Sequence, residues 1–428
     1  MKLSLNEQQS AAVQQMKQFL ASEADLFLLQ GFAGTGKTTT IQSFIRDAQS
    51  KQKRIKVALT APTNKAVKVL SRMASEWDLQ WVDTMTIHQL LGLMLKPSRD
   101  GGMKLEHKGI DYLPRYDLIV LDEASMVNQE LWMHIMFGLA HCNRVKLICM
   151  GDPAQLPPIG EPASQVFDIT DKAELTDVVR QAKDNPISEL VDVARQAVYD
   201  PAVIIPKQSQ QNLDEGVWWI NRREWLHHLV TAFKSEGFQT DADHVRALAW
   251  TNRECDWLNT YVRSSIYEPD VEPYVEGELL IAREPIFQEN EIVLPTSSEC
   301  RVFSVERSFR EGYRCWNLEV ISDEGGTYDF EVLHRSERDR YLQNLAELEQ
   351  QARQQWTKPN WKAYFALKQQ FAYLDYGYAI TTHKSQGSTF QNVFVVDQDI
   401  DCNPNRDEAA QCRYVAYSRA AKRLFNTL

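Results

Sequence analysis

Apolar residues recur along this chain in two rhythms. One is helical: beyond Asn6, a residue type that caps helices, Val13, Met16 and Phe19/Leu20 recur at helical spacing. The other is a series of short unbroken apolar runs, 25–30 (DLFLLQ), 55–60 (IKVALT), 117–121 (DLIVL) and 145–150 (VKLICM), each ending in polar or glycine-rich residues and separated by helical stretches. Strands buried on both faces read as such runs. Their alternation with helices predicts a parallel α/β sheet with ligands at the carboxyl ends of its strands. A second set of this kind begins near 180, with strands at 246–251 (RALAWT), 377–381 (GYAIT) and 393–397 (VFVVD). Two stretches depart from the pattern. Residues 93–109 read as two short strands around a Pro-Ser-Arg-Asp-Gly-Gly turn, a hairpin inserted in the first set. From 275 to 333 the texture changes to closely spaced alternating segments (GELLIA, NEIVLP, CRVFSVERSF, CWNLEVI, TYDFEVL), which predicts a small barrel. Residues 336–356 then read as a helix whose stripe of Leu342, Leu345 and Leu348 is narrow enough to pack on one side only.

Composition narrows the class. With 428 residues, 43% hydrophobic and 25% charged, the chain is long enough for two to four packed domains, and wholesale disorder is excluded. The net charge of −11 argues against a purely electrostatic nucleic-acid coat, since phosphate binding needs positive charge at least locally. Residues 44–73 supply such a patch, with eight Lys/Arg against Asp47; residues 268–291 run the other way, with eight Asp/Glu against Arg283. MKLSLNEQQS lacks an apolar secretory core and no run of about 18 apolar residues occurs, so no membrane span and a cytoplasmic location (bacterial or phage-infected cell) are expected. Seven scattered cysteines without a CxxC pair read as reduced thiols rather than a structural zinc site.

The chemistry begins at Gly31-Phe-Ala-Gly34-Thr35-Gly36-Lys37-Thr38, which fits G-x-x-x-x-G-K-[ST] between a strand and a helix opening near Thr39. Glycines let backbone N–H groups turn inward around phosphates, and the helix N-terminus adds positive potential. Lys37 is placed to reach the outer phosphates and Thr38 to ligate Mg²⁺. Asp122-Glu123 ends the strand DLIVL, with Asp122 a second Mg²⁺ residue and Glu123 positioned to deprotonate the attacking water. Gln155, in GDPAQLPP after the next strand, would lie near the γ-phosphate. One such phosphate loop in 428 residues means that the second α/β set does something other than bind its own nucleotide.

In combination these segments resemble the superfamily 1 helicases, in their RecD-like/Dda branch. Leu5-Asn6-Glu7-Gln8-Gln9 is similar to an adenine-reading motif, with Gln9 the best match. GFAGTGKT corresponds to motif I, APTNKA (61–66) to Ia, Thr86-Ile87-His88 to Ib, DEASM (122–126) to II, GDPAQLPP to III, LTDVVRQ (175–181) to IV, TTHKSQGS (381–388) to V and YVAYSRA (414–420) to VI; Ala249–Asn252 (AWTN) is similar to a further strand motif. The resemblance implies two RecA-like P-loop NTPase lobes, with ATP between them and single-stranded DNA across both. The implied division is lobe 1A over 1–178, with a 1B hairpin at about 86–114; lobe 2A over 179–274 and 372–428; and an SH3-like 2B barrel with a helical extension over 275–371. Gln386, Gly387 and Thr39 would join the nucleotide pocket, and Arg180 and Arg419 would reach the γ-phosphate from the second lobe. Thr63, Asn64, Lys65, Thr86, His88, Thr382 and His383 would track DNA phosphates, Trp361 is a candidate base stacker, and Leu105 stands where the branch carries an aromatic on its strand-splitting pin. The implied activity is ATP-dependent 5′→3′ DNA unwinding on single strands and junctions, by a monomer working beside single-strand-binding or replication and recombination proteins.

Overall fold

The computed structural model describes residues 5–428 apart from 52–54, 98–102, 110–111, 143, 178–184, 213, 289–290, 324 and 355–357, and the side chains of 50–51, 97, 103 and 358–359 also lie outside the description. The first helix, Glu7–Ala21, starts where Asn6 predicts. The Asn6 side chain accepts the Gln9 N–H at 2.8 Å while the Gln9 side chain accepts the Asn6 N–H at 3.1 Å, which satisfies two otherwise orphaned donors. Its inner face (Ala12, Val13, Met16, Phe19) is buried in the core of the first sheet.

That sheet has six parallel strands, in the order Asp83–Thr86, Val57–Ala61, Leu118–Leu121, Lys146–Gly151, Leu26–Gly31, Lys172–Leu175. The four inner strands coincide with the apolar runs to within two residues. The two edge strands, DTMT and KAEL, escape a hydrophobic reading because an edge strand buries less and tolerates polar residues. The hairpin of Leu93–Pro97 and Met103–His107 pairs Leu93 with His107 and Pro97 with Met103; its turn lies outside the described residues. Leu105, opposite Leu95, is half-buried and packs against the core of the first lobe.

The second sheet runs Ala379–Thr381, Val245–Ala249, Phe390–Val395, Ala420–Thr427, Glu215–Ile220, Gln210–Asn212, with only the last strand antiparallel to its neighbour. Between its segments sits a five-stranded antiparallel sheet, Thr327–Leu333, Tyr313–Ser322, Glu299–Arg310, Leu279–Ala282, Leu374–Tyr376. Leu279–Ala282 pairs with Leu374–Tyr376, so this insertion leaves and rejoins the second lobe through adjacent strands. Its extension is a pair of helices, Arg338–Gln354 and Lys358–Lys368, sealed by Leu345, Leu348 and Ala352 against Trp361, Tyr364 and Phe365. Trp361 is thereby corrected as a base stacker: its ring is 8% exposed and packs on Tyr364 and Phe365. Among the described residues no helix is long and apolar enough to cross a membrane.

Candidate active site

The strand order brings the carboxyl ends of Leu26–Gly31, Lys146–Gly151 and Leu118–Leu121 side by side, so the phosphate loop, Asp152 and Asp122-Glu123 share one edge. Gly34 and Gly36 adopt φ of +82° and +77°, a left-handed backbone that a side chain resists. A Cβ at Gly36 would also lie 2.5 Å from Gln9 Nε2. Gln9 is buried and its amide donates to Thr35 O at 3.1 Å, so it braces the loop while capping its own helix. Helix Lys37–Lys51 starts directly after Gly36, and the Lys37 ammonium donates to Gly31 O (2.7 Å) and Phe32 O (3.2 Å). Thr38 and Thr39 are half-buried in the first turn of that helix.

Asp122 and Glu123 meet this cradle from the side. Burial pushes the Asp122 carboxyl well up, the neighbouring Glu123 charge adds to the rise, and Lys37 opposes it. Glu123 holds a left-handed φ of +51°, sparsely populated for a residue with a side chain. Across the gap stands Gly387, also left-handed (φ +72°), where an added Cβ would lie 3.7 Å from Glu123 Oε1 and 3.3 Å from Ala66 Cβ. The two lobes therefore come close at the candidate base, with room at Gly387 for little more than a glycine. Among the described residues the buried Gln155 Oε1, Ser125 Oγ and Ser388 Oγ have no hydrogen-bond partner, on segments that border the cleft. Glycine amides, an ammonium, the Asp122 and Glu123 carboxylates and orphaned oxygens are the set of groups that a Mg²⁺–triphosphate needs.

The second lobe supplies the rest. Gln386 Nε2 donates to Leu156 O (3.0 Å) and Gln411 Nε2 to Gln155 O (3.2 Å), seating the second lobe on the GDPAQLPP loop. Arg419 caps helix Arg406–Ser418 and is 6% exposed, its guanidinium donating to Val415 O, Ser388 O and Ser418 Oγ. Burial pushes the carboxyl of Asp152 up, and Lys37, the Tyr414 hydrogen bond and Arg419 oppose the rise without reversing it. Two positions whose importance the sequence reading passed over emerge here. Asp152 is 1% exposed, and Tyr414, fully buried, donates to it at 2.5 Å while accepting the Ala33 N–H of the phosphate loop at 2.8 Å. Both stand inside the quoted motifs; partners 262 residues apart are not readable from spacing. Arg180 lies outside the described residues.

The candidate tracking residues divide. Thr63, Asn64 and His88 are half-buried near the carboxyl ends of the first sheet; Thr63 also caps helix Asn64–Glu76. Burial lowers the His88 pKa, helped by His134. Thr86 is buried as a helix cap, accepting the Gln89 N–H at 3.1 Å, and Thr382 is fully buried against Ala249 O; in this form both shape backbone rather than offer a free hydroxyl. His383 stands 3.5 Å from Glu408, and its burial lowers its pKa against the pull of that carboxylate. Lys65 is engaged by carboxylates of the second half of the chain, Glu299 at 2.9 Å and Asp243 at 3.1 Å, and Lys68 by Asp323 at 3.4 Å. Burial works to raise the Glu299 carboxyl, but Arg246 and Lys65 outweigh it and hold it at about 2.

A phosphate loop in one α/β lobe, closed over by an arginine-bearing second lobe, defines a two-lobed P-loop NTPase. The comparisons carry this to a family. A model described as an AAA domain matches residues 4–207, and one described as a UvrD-like helicase C-terminal domain matches 376–425. The chain is 24% identical to the ATP-dependent DNA helicase dda of Enterobacteria phage T4, over 93% of each chain, and 25% identical to an uncharacterized protein of Acanthamoeba polyphaga mimivirus, over 93% of this chain and 94% of that one. It is 32% identical to the ATP-dependent RecD2 DNA helicase of Deinococcus radiodurans over 43% of this chain and 23% of that protein. In fold it resembles Pif1 helicase from Bacteroides, solved with ADP-AlF3 and ssDNA, at 16% identity, with a TM-score of 0.52 over 99% of this chain and 92% of that one. The chain belongs to the superfamily 1 helicases, with the RecD-like and Dda proteins among its relatives.

Proposed function

We infer that the protein is an ATP-dependent DNA helicase that moves 5′→3′ on single-stranded DNA and opens duplexes ahead of it. One observation supports this: the candidate hydrolytic residues are split between two lobes that approach each other at Glu123 and Gly387. Hydrolysis in such a site needs the lobes together, and a cycle of closing and opening can then step them along a strand. Lys37 and the loop amides would hold the β- and γ-phosphates, and Gln9 would support the adenine end. Thr38 and Asp122 would hold Mg²⁺, which when bound supplies charge neutralisation for the departing phosphate. Glu123 would take the proton of the attacking water. Arg419, on exchanging its Ser388 and Ser418 partners for phosphate oxygens, would offset the charge that develops there, with Arg180 as a second arginine.

In this reading the labour would be divided as expected from the sequence: lobe 1A over 1–178 with the hairpin as strand splitter, lobe 2A over 179–274 and 372–428, and an SH3-like barrel over 275–371. Thr63, Asn64, Lys65, His88 and His383 are the groups proposed to contact the DNA backbone, without reading bases. The protein would act as a cytoplasmic monomer at single-strand/duplex junctions, beside single-strand-binding or recombination proteins. An unwinding assay with 5′-tailed, 3′-tailed and blunt duplexes, DNA and RNA in parallel, tests the reading. ATP-dependent opening of only the 5′-tailed DNA is expected; opening from the 3′ tail overturns the polarity, and preference for RNA overturns the substrate.

A further inference from the structure

The hydroxyl of Tyr414 is the one group described above that bonds to two of the nucleotide-site segments at once. It accepts the Ala33 N–H of the phosphate loop at 2.8 Å and donates to Asp152 Oδ2 at 2.5 Å, and Asp152 Oδ1 accepts the Ala154 N–H at 3.0 Å. Tyr414 is fully buried, Asp152 is 1% exposed and Ala33 is half-buried. A hydrogen bond to a buried charge is among the stronger ones, and leaving one partner unpaired is costly. Tyr414 also sits on helix Arg406–Ser418, at whose end Arg419 stands. Five residues of helix form a rigid spacer, so whatever fixes the tyrosine fixes the origin of the arginine. The helix has no other hydrogen bond from a side-chain hydroxyl into the first lobe among the described residues; Tyr417 turns to Asp397 and Ser418 to Val415 O, both within the second lobe.

We propose that Tyr414 is a positioning residue that sets the reach of Arg419, its hydroxyl registering the second lobe against the phosphate loop and Asp152 so that closure delivers the guanidinium at hydrolytic distance. On this account Tyr414 acts through Arg419, its own hydrogen bonds going to Ala33 and Asp152, so it is a positioning and not a catalytic residue. The loop amide it takes, Ala33 N–H, belongs to the cradle itself, so a shift of the loop on loading is transmitted to the helix through one oxygen atom. The same oxygen holds the carboxylate that lies within electrostatic reach of both Lys37 and Arg419. The inference rests on the motor reading above.

The test is Tyr414→Phe, which removes one oxygen and keeps the ring. Hydrolysis of ATP with and without single-stranded DNA is measured beside the unmodified protein, with KM and kcat separated and the folded state followed by thermal melting. The expected result is a fall in DNA-stimulated kcat of roughly 10-fold or more, with KM for ATP within about 3-fold, since the bonds lost align the helix that carries Arg419 and do not hold ATP. A rise in KM at constant kcat, or a lowered melting temperature with kcat unchanged, shows a merely structural tyrosine and overturns the proposal. Should Tyr414→Phe not fold, 3-fluorotyrosine placed at 414 keeps the oxygen and alters its donor strength; a changed kcat at constant KM supports the proposal and an unchanged kcat overturns it. If the unmodified protein shows no DNA-stimulated hydrolysis, the motor reading fails first and this inference with it.

Discussion

Both α/β lobes run a parallel strand into a helix at their ligand edge, and they differ in what is left at the N-terminus of that helix. In the first lobe Gly36 precedes Lys37, no side chain can fold back, and the first amides stay open to a phosphate. In the second lobe the equivalent places are filled. Helix Asn252–Ile266 is capped by Thr251, which accepts the Glu254 N–H at 3.2 Å, and Asp399 accepts the Trp250 and Thr251 N–H groups at 2.8 and 2.7 Å. Helix Arg222–Phe233 is capped by Asn221, which accepts the Glu224 N–H at 3.1 Å. A carboxylate stands where an anionic ligand could have bound. One architecture thus yields a nucleotide site or a closed joint, according to whether glycine or a capping side chain occupies a handful of positions.

The contrast can be broken hardest at Lys37. Lys37→Ala is expected to bring DNA-stimulated ATP hydrolysis below detection; retained turnover in a steady-state assay would show that the cradle is not the site. Next, Arg419→Ala should lower kcat on the order of 10³-fold while nucleotide affinity, read by fluorescent-analogue titration, changes little. An affinity loss alone would return Arg419 to the role of an ordinary ion-pair residue. Glu123→Gln should slow single-turnover hydrolysis by roughly 10²-fold and still bind ATP, and an unaltered rate removes it as the base. Glu299 sharpens the comparison by pH. Its carboxyl is held at about 2 when folded, so its contribution, about 3 kcal/mol when complete, is present above the unfolded carboxylate range and is lost as pH falls toward 2. Acid melts of Glu299→Gln should therefore show a flatter loss of stability below about pH 4.5 than the unmodified protein; parallel curves would count against the assignment. Last, Asp399→Ala should cost about 1–2 kcal/mol in chemical denaturation and leave KM for ATP unmoved, because its amides serve the joint and not the nucleotide.

The fold was legible wherever burial is two-sided. Runs such as DLIVL and VKLICM announce inner strands, and the alternation of 275–333 announces the antiparallel strands of the insertion. Edge strands such as KAEL were not, nor was Ala420–Thr427 (AAKRLFNT), whose sequence mixes charges with apolar residues although it lies inside the second sheet. Of the nucleotide pocket, the residues fixed by local chemistry were readable: Gly36 and Lys37 from the loop, Asp122 and Glu123 from a strand end. What spans the lobes was not. Lys65 reads as a phosphate-contacting lysine from its basic neighbourhood, and nothing in that neighbourhood points to Glu299, 234 residues away. Trp361 reads as a stacker from its lysine neighbours, whereas the partner helix that hides it is a tertiary matter.

The pairing of Lys65 with Glu299 and Asp243, and of Lys68 with Asp323, has an outcome in salt titrations. A polyanion usually sheds dissolved cations when lysines arrive, and the steepness of its affinity against ionic strength counts those contacts. A strand that claimed these two ammonium groups would have to evict tethered carboxylates, trading one fixed anion for another. The protein would then supply its own counter-charge at these positions, and binding there would respond less to added salt than the lysine tally alone implies.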